Sequence, residues 1–318
     1  MRIAIVGAGR GWHALELQRA ASERDVECDL LSITRLCATV DDRARLSSDG
    51  SRLHDYDAVL VRIIPRGSLE QIIFRMDAFH LLEAAGVRVM NRPAVIERTV
   101  DKYYTSGLLA QAGFLTPRTI VCERSQDALE AFEALGGDVV VKPLFGSMGL
   151  GMVRIDHEDL AHRVFKALEL ERAVYYVQQF IPHDGRDIRA FVLGDRILAA
   201  MERRADNWRT NFARGATCNT VQLTPAQEEL CLRASQVVGA DYAGVDLLPA
   251  EDGALYVLEV NGIPGWKGLQ STSPLDLAGE IVDYVICDSH DSIPITQVSH
   301  RPFTGATPAH NARQDGGS

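Results

Sequence analysis

Residues 239–265 read GADYAGVDLLPAEDGALYVLEVNGIPG, and this stretch decides the fold and points to the chemistry. Apolar runs at residues 242–248 and 254–260 flank a polar turn that ends in Asp-Gly, so the pattern predicts a β-hairpin. Glu259 and Asn261 are two residues apart and therefore share one face of the second strand. Asp246 on the first strand can reach the same point as a cross-strand or diagonal neighbour.

The three side chains on that face all offer oxygen ligands. Magnesium is usually held by one or two carboxylates and completes its octahedron with water and phosphate oxygens, so Asp246, Glu259 and Asn261 suit it better than zinc or a soft metal. The alternative is an ordinary polar edge strand. Because the two acids interrupt strongly apolar runs, where an unpaired charge is unfavourable, the sequence favours the metal site.

Composition limits the class of protein. The chain has 318 residues, is 46% hydrophobic and carries a formal charge of -10, which indicates two or three globular domains and argues against a general nucleic-acid or membrane-surface binder. Six scattered cysteines without a CxxC pair, and an N-terminus without a secretory pattern, predict a cytoplasmic protein. We find no apolar run long enough for a membrane-spanning helix.

Lysine is rare in this chain, which has 29 arginines and only four lysines. Lys142 interrupts an apolar strand just before a glycine-rich loop at residues 146–151, and such a loop can lay its backbone N–H groups over phosphate oxygens. It is not a P-loop, because no lysine follows Gly151 and no helix opens there. The alternative is a simple hairpin with a flexible tip.

The N-terminal residues 1–97 predict a small α/β domain, with strands at residues 26–32 and 58–64. The first strand runs into the glycines of GAGRGW, but Trp12 occupies the position of the third glycine in the dinucleotide fingerprint, so NAD or FAD binding is disfavoured. Residues 98–287 form the second predicted unit. Residues 288–318 lack periodicity and are predicted to be a disordered tail.

Lys102, then Lys142 with its glycine loop, then the acid and amide set occur in the order found in the ATP-grasp superfamily. Across residues 98–285 the motifs VVVKPLFGSMGLGM, VQQFI, GRDIRAFVLGD, ERRADNWRTNFARGA, AGVDLL and LEVNGIPG resemble those of the RimK-type α-L-glutamate ligases. The resemblance implies an α/β (α+β grasp) architecture, in which a pre-grasp domain precedes two subdomains that enclose ATP.

Matching motif to motif, the resemblance also implies a role for individual residues. The metal ligands are Asp246, Glu259 and Asn261, which would bind Mg2+ or Mn2+. The positions suited to phosphate or substrate carboxylate, taken as catalytic, are Arg189, Arg203, Asn211 and Arg214. The nucleotide-binding residues are Lys102, Lys142, Gly146, Ser147, Met148, Gly149, Gly151, Gln179, Phe180, Asp187, Arg209, Thr210 and Asn211. Two positions depart from the pattern: Gln179 replaces a common acidic hinge residue, and Ala216 replaces a common glycine.

The implied activity is an ATP-dependent ligase that activates a carboxylate as an acyl phosphate and joins it to the amine of L-glutamate. Residues 66–105 resemble the branch that acts on tetrahydromethanopterin or related coenzymes. Two alternatives stay open: a ligase that modifies a protein C-terminus or joins other amino acids, and a non-catalytic nucleotide-binding regulatory protein. Neither nucleic acid nor membrane is an expected partner, and a homo-oligomer is compatible with the family.

Overall fold

A computed structural model of the chain describes residues 1–146, 149–210, 212 and 215–288. The N-terminal part contains a parallel four-stranded sheet whose strand order is β2-β1-β6-β7. Its strands are β1 (Arg2–Gly7), β2 (Glu27–Ser32), β6 (Ala58–Val61) and β7 (Arg88–Met90). Helices α1 (Trp12–Ser22), α2 (Leu69–Ala84) and α3 (Pro93–Val100) pack against it. Both faces of β1 are buried, as expected of a parallel strand that is covered on two sides.

Three features of this part differ from the sequence prediction. The strand expected at residues 58–64 ends at Val61, because its neighbour β1 ends at Gly7 and only the Arg62 amide still donates to Val6 O. Helix α3 was not predicted, although its first residue is a proline, which is favoured there. A small antiparallel sheet was also missed; it comprises β3 (Cys37–Val40), β4 (Ala44–Ser48) and β5 (Ser51–Arg52).

The next part of the chain forms an antiparallel sheet of four strands in the order β10-β9-β11-β8. Its elements are α4 (Lys102–Gln111), β8 (Thr119–Cys122), α5 (Ser125–Ala134), β9 (Val139–Lys142), β10 (Val153–Ile155), α6 (Glu158–Leu170) and β11 (Tyr175–Gln179). β9 pairs antiparallel with β10, so the glycine loop joins two strands as the sequence predicts. Lys142 is the last residue of β9 and therefore lies where the loop begins.

A second antiparallel sheet follows, with five strands in the order β14-β13-β12-β15-β16. Its elements are β12 (Arg186–Leu193), β13 (Arg196–Arg204), β14 (Thr217–Thr220), α7 (Pro225–Val238), β15 (Tyr242–Pro249), β16 (Leu255–Asn261), α8 (Lys267–Thr272) and α9 (Leu277–Asp288). Helix α7 begins with a capping box of Thr224 and Gln227, and Gly239 ends it in the left-handed conformation at φ 76°. Helices α8 and α9 were not predicted.

The five-stranded sheet has one apolar and one polar face near its centre. Ile188 and Ala190 of β12 join the core beneath α7, whereas Asp187 and Arg189 alternate with them and face the other way. This confirms the polar face that the alternation in DIRAFV predicts.

The buried Asn91 ties the N-terminal part to the β15–β16 hairpin. Its side-chain amide donates to the carbonyl oxygens of Tyr242 at 2.8 Å and Gly262 at 2.5 Å, and its oxygen accepts from the amide of Asp241 at 2.7 Å. The hairpin that carries the acidic residues is thus held in position from the N-terminal part. No helix in the described ranges is both long and apolar enough to cross a membrane.

Candidate active site

A cleft lies between the four-stranded and the five-stranded sheets. One wall comes from β9, β11 and the residues after them, and the other from β12, β13, β15 and β16. The residues that line it are Pro117, Val140, Lys142, Met152, Gln178, Gln179, Phe180, Ile181, His183, Asp187, Arg203, Trp208, Arg209, Thr210, Asp246, Leu248, Leu258 and Glu259. A cleft between two sheets that is lined by apolar side chains and a few charged groups suits a small-molecule ligand.

One end of the cleft is suited to a flat ring. The amides of Gln179 and Phe180 are already used, since they donate to the carbonyl oxygens of Arg118 and Asp138. Within the described residues the amide of the next residue, Ile181, donates to no other group and can recognise a ring nitrogen. Apolar side chains of the cleft wall, among them Met152, supply surface beside it.

A β-bulge in the hairpin decides which side chains enter the cleft. Asp246 pairs with Glu259, but Leu247 pairs with Val257, so Leu258 is an extra residue on β16. Strict alternation would turn Leu258 away from the face that bears Glu259. Both residues line the cleft, while Val257 lies in the opposite core. The bulge therefore places an apolar and an acidic side chain next to each other.

Two lysines lie at the end of the cleft where the glycine-rich loop begins. Lys142 is 8% exposed, and no described residue forms an ion pair or hydrogen bond with its ammonium. Burial lowers the pKa of Lys142, an effect that the nearby Glu259 carboxylate partly offsets. Lys102 donates to the carbonyl oxygen of Gly146 at 2.8 Å, and burial lowers its pKa too. Positive charge is thus concentrated here, and the Glu259 carboxylate attracts both ammonium groups but forms an ion pair with neither.

Buried arginine and aspartate side chains form a network of ion pairs at the bottom of the cleft. Nε and Nη2 of Arg189 donate to the two carboxylate oxygens of Asp246 at 2.5 Å each, and Nη2 of Arg203 lies 3.1 Å from Asp246. Arg203 also donates to both oxygens of Asp187, at 2.7 and 2.6 Å, and Thr210 donates to Asp187 at 2.6 Å. Burial opposes ionisation of Asp246, but the two guanidinium groups hold its pKa below the ordinary value.

The three oxygen donors on this hairpin differ in their existing contacts. Glu259 forms no ion pair or hydrogen bond with any described side chain, and Asn261 uses only its amide nitrogen, which donates to Gly244 O at 3.3 Å. Both oxygens of Asp246 accept from arginine. A carboxylate, a carbonyl oxygen and a second, arginine-bound carboxylate still form a hard donor set that suits Mg2+.

The structure brings together most of the residues singled out from the sequence. Lining the cleft are Lys142, Gln179, Phe180, Asp187, Arg203, Arg209, Thr210, Asp246 and Glu259. Lys102 and Gly146 lie at its mouth, and Arg189 lies beneath it. In the glycine-rich loop, Gly149 and Gly151 take positive φ angles of 66° and 75°. Ser147, Met148, Asn211 and Arg214, like the tail at residues 289–318, lie outside the described residues.

Several lining residues were not anticipated. Leu248 follows Asp246 by two residues, so alternation along β15 could have identified it. Leu258 could not be identified, because it enters the cleft only through the bulge. Trp208 lies beside a recognised arginine, with the Arg209 guanidinium 4.4 Å from its ring centroid, and a polar stretch gives no sign of this stacking.

Comparison with known proteins is consistent with this geometry. The family model for the RimK-like ATP-grasp domain matches residues 99–285, and the model for the RimK PreATP-grasp domain matches residues 1–96.

Curated relatives match along most of their length. The chain is 33% identical over 289 residues to tetrahydromethanopterin:alpha-L-glutamate ligase of Methanococcus maripaludis, with 89% of this chain and 97% of the relative covered. It is 34% identical over 262 residues to the protein of that name from Methanosarcina acetivorans, with 73% and 81% covered. A probable alpha-L-glutamate ligase of Aliivibrio fischeri is 32% identical, with 90% and 95% covered.

Solved structures share the fold. The ATP-grasp ligase PsnB, complexed with minimal precursor, Mg and ADP, superposes with a TM-score of 0.70 at 20% identity, covering 90% of this chain and 97% of PsnB. A RimK domain protein ATP-grasp from Sphaerobacter thermophilus gives 0.70 at 24% identity, covering 90% and 100%. The expected ATP-grasp fold is confirmed.

Proposed function

Because the chain belongs to the RimK-like ATP-grasp family and is an ATP-dependent ligase that forms C–N bonds, we propose that it joins the amine of L-glutamate to an acceptor carboxylate. We propose a pterin coenzyme such as tetrahydromethanopterin as the acceptor, which two of its relatives carry in their names. The residue roles and the division into residues 1–97 and 98–287 are part of this proposal.

The observation that carries the proposal is that a lysine and a glutamate face the same cleft from opposite sheets without forming an ion pair. Lys142, on the four-stranded sheet, has a buried ammonium, and Glu259, on the facing sheet, has a half-buried carboxylate; the two charges attract each other, but neither group forms an ion pair or hydrogen bond with a described side chain. A buried charge without a direct ion-pair partner is unfavourable, so the retention of Lys142 opposite Glu259 indicates a ligand that carries both phosphate oxygens and a cation. ATP with a divalent metal has both.

Each residue then has a defined part in the reaction. Asp246, Glu259 and Asn261 would hold Mg2+ or Mn2+, which supplies charge neutralisation for the triphosphate when bound. Lys142 and Lys102 offset the remaining charge while an oxygen of the acceptor carboxylate attacks the γ-phosphorus and ADP leaves. Ile181 and Leu258 orient the adenine, which fixes the triphosphate relative to the acceptor.

The second step forms the C–N bond. The amine of glutamate attacks the acyl carbon, loses a proton and expels inorganic phosphate. Arg203 lines the cleft and Arg189 lies beneath it, and their guanidinium groups can stabilise the oxyanion of the tetrahedral intermediate. No protein nucleophile is needed.

The absence of a membrane-crossing helix in the described ranges and the six unpaired cysteines support a location in the cytoplasm, which we also propose.

The test is an incubation of the protein with ATP, magnesium, tetrahydromethanopterin and L-glutamate, with each component left out in turn. We expect repeated turnover of ATP to ADP, and an acceptor heavier by one glutamyl residue, only when all are present; without glutamate the first step alone can form at most one ADP for each active site. L-aspartate, L-glutamine and D-glutamate replace L-glutamate in parallel reactions. Ligation of one of these in preference to L-glutamate, or continued turnover of ATP to ADP without any amine, would contradict the proposal.

A further inference from the structure

A cationic and aromatic surface lies where the N-terminal part meets the five-stranded sheet. We give the name junction surface to Trp12, His13, Arg62 and Lys267 together with the buried ring of Trp266, which packs against the first three. We propose that it binds the body of the acceptor, and that this body is a planar ring system with an anionic chain. The inference rests on the proposed function, because it concerns the substrate of the same reaction.

The cations of the junction surface have no carboxylate partner among the described residues. Arg62 donates to the hydroxyl of Tyr242 at 2.6 Å and to Pro264 O at 2.7 Å, both neutral groups. The exposed Lys267 forms no ion pair. Most arginines elsewhere that form short contacts pair with acids, in a protein of net charge -10. Cations left unpaired at one place indicate a site for an anion.

His13 lies on the inner side of the junction surface, and its pKa reflects the charges around it. Burial, with added repulsion from Arg62 and Lys267, lowers its pKa to about 4, and no acid contributes. Its neutral ring accepts a hydrogen bond from the Trp266 amide at 3.0 Å, so it is committed to packing. The electrostatic potential at His13 is therefore positive, and it acts on a ligand that lies against the junction surface.

Two buried donors at this place have no partner within the described residues. They are Nε of Arg62 and Nε1 of Trp266, and the Arg62 guanidinium carbon lies 4.5 Å from the Trp266 ring centroid. Buried donors are nearly always satisfied, so a pair of unsatisfied ones indicates acceptor oxygens supplied from outside the chain. Their position beside the cation pair matches an oxygen-rich ligand.

The aromatic component lies next to the charges. Trp12 is partly buried, with Nζ of Lys267 6.0 Å from its ring centroid, and the 42% exposed ring of Phe212 lies 3.3 Å from the position of a Cβ at Gly268. Two partly exposed rings on either side of Lys267 and Gly268 offer surfaces on which a planar ligand can stack.

The junction surface is continuous with the phosphoryl-transfer site. Arg189, bound to Asp246, lies 3.5 Å from the position of a Cβ at Gly244, and Pro264 lies 3.1 Å from the same position. The carbonyl of Pro264 accepts from Arg62. The buried Gly244 and Pro264 thus lie between Arg189 and Arg62, so an acceptor whose carboxylate reaches Arg189 can extend toward the junction surface.

The experiment measures binding of two probes by fluorescence in the presence of saturating ADP and magnesium, so that the adenine cleft is filled. The probes are pteroate and pteroylpentaglutamate, which share a ring and differ in the anionic chain. We expect the pentaglutamate to bind at least about tenfold more tightly at low salt, and Lys267→Gln to weaken it about fivefold while changing pteroate little. Trp12→Leu is expected to weaken both probes.

Lys166→Gln is the matched control, because this exposed lysine lies on α6 and, among the described residues, pairs only with Glu169. Equal binding of the two probes, or a Lys267→Gln variant that behaves like Lys166→Gln, would overturn the inference. The separate assay of ADP formation with glutamate keeps the two proposals distinct. Turnover without charge-selective binding refutes the junction surface alone, and charge-selective binding without glutamate ligation refutes the proposed function alone.

Discussion

At the scale of single residues, the main feature of this site is two charged side chains that form no direct ion pair with a described residue. Lys142 and Glu259 face one cleft from two different sheets, and neither forms a direct ion pair with a described residue. A protein optimised only for stability would neutralise or remove both groups. Two substitutions test whether they serve a ligand.

Replacing Glu259 by alanine is expected to abolish ATP-dependent ligation while leaving the fold intact, because the carboxylate contacts ligands rather than neighbouring side chains. ADP formation and thermal unfolding measure the two effects. Glu229→Ala, on the exposed face of α7, is the control and should retain full activity. Wild-type turnover in Glu259→Ala would remove this residue from the mechanism.

Replacing Lys142 by methionine separates stability from function. Methionine has a similar length and no charge to desolvate, so we expect the free energy of unfolding to stay equal or to rise by about 1–2 kcal/mol. The affinity for ADP should fall by about one to two orders of magnitude, because a buried cation facing phosphate is lost. Urea denaturation and calorimetric titration measure these quantities. A strongly destabilised variant with normal ADP affinity would show that Lys142 is structural.

At the scale of elements, the β15–β16 hairpin determines what the site can do. Its two strands, the capping box of α7 and the loop between β9 and β10 were all predictable, because each has a local signature in the sequence. The bulge at Leu258 was not, since a run of apolar residues fits either face of a strand. The pairing of Asp246 with Arg189 and Arg203 was equally hidden, because it depends on the register of three strands.

This pairing predicts how metal binds. Both Asp246 oxygens accept from arginine, so a metal must compete with guanidinium groups unless phosphate draws the arginines away. We expect free Mn2+, followed by electron paramagnetic resonance, to bind weakly alone and at least about tenfold more tightly with ADP. In Arg189→Met the affinity for Mn2+ alone should rise about tenfold, since one competing cation is removed. Arg163→Met on exposed α6 is the control. Unchanged Mn2+ affinity in Arg189→Met would rule out this competition.

At the scale of the whole molecule, contacts between the N-terminal part and the grasp hold the site together. The sequence predicted two units and the polar cleft face of the second, but not the seam between them. Asn91, His13 and Arg62 bind partners at least 150 residues away along the chain, and no local pattern reports such contacts. Helix α3, which bridges the two units, was missed for a similar reason: its residues pack against both.

The seam also predicts a dependence of stability on pH. His13 is held neutral in the fold, with a pKa of about 4 against an ordinary value of 6.5. Between these values the unfolded chain binds a proton that the native chain does not, so stability is complete above pH 6.5 and falls as the pH drops toward 4. We expect the unfolding free energy of the wild type, minus that of His13→Gln, to decrease by about 2–3 kcal/mol between neutral pH and about pH 4. A difference that is constant with pH would show that His13 is not buried in its neutral form.

The central claim is that the cleft between the two sheets transfers the γ-phosphoryl group to an acceptor carboxylate before the C–N bond forms. The most direct measurement uses tetrahydromethanopterin with its carboxylates labelled with oxygen-18, followed by mass spectrometry of the released inorganic phosphate. The acyl-phosphate route predicts one labelled oxygen in the phosphate for each glutamyl bond formed, together with ADP. Unlabelled phosphate, or AMP and pyrophosphate in place of ADP, would contradict it.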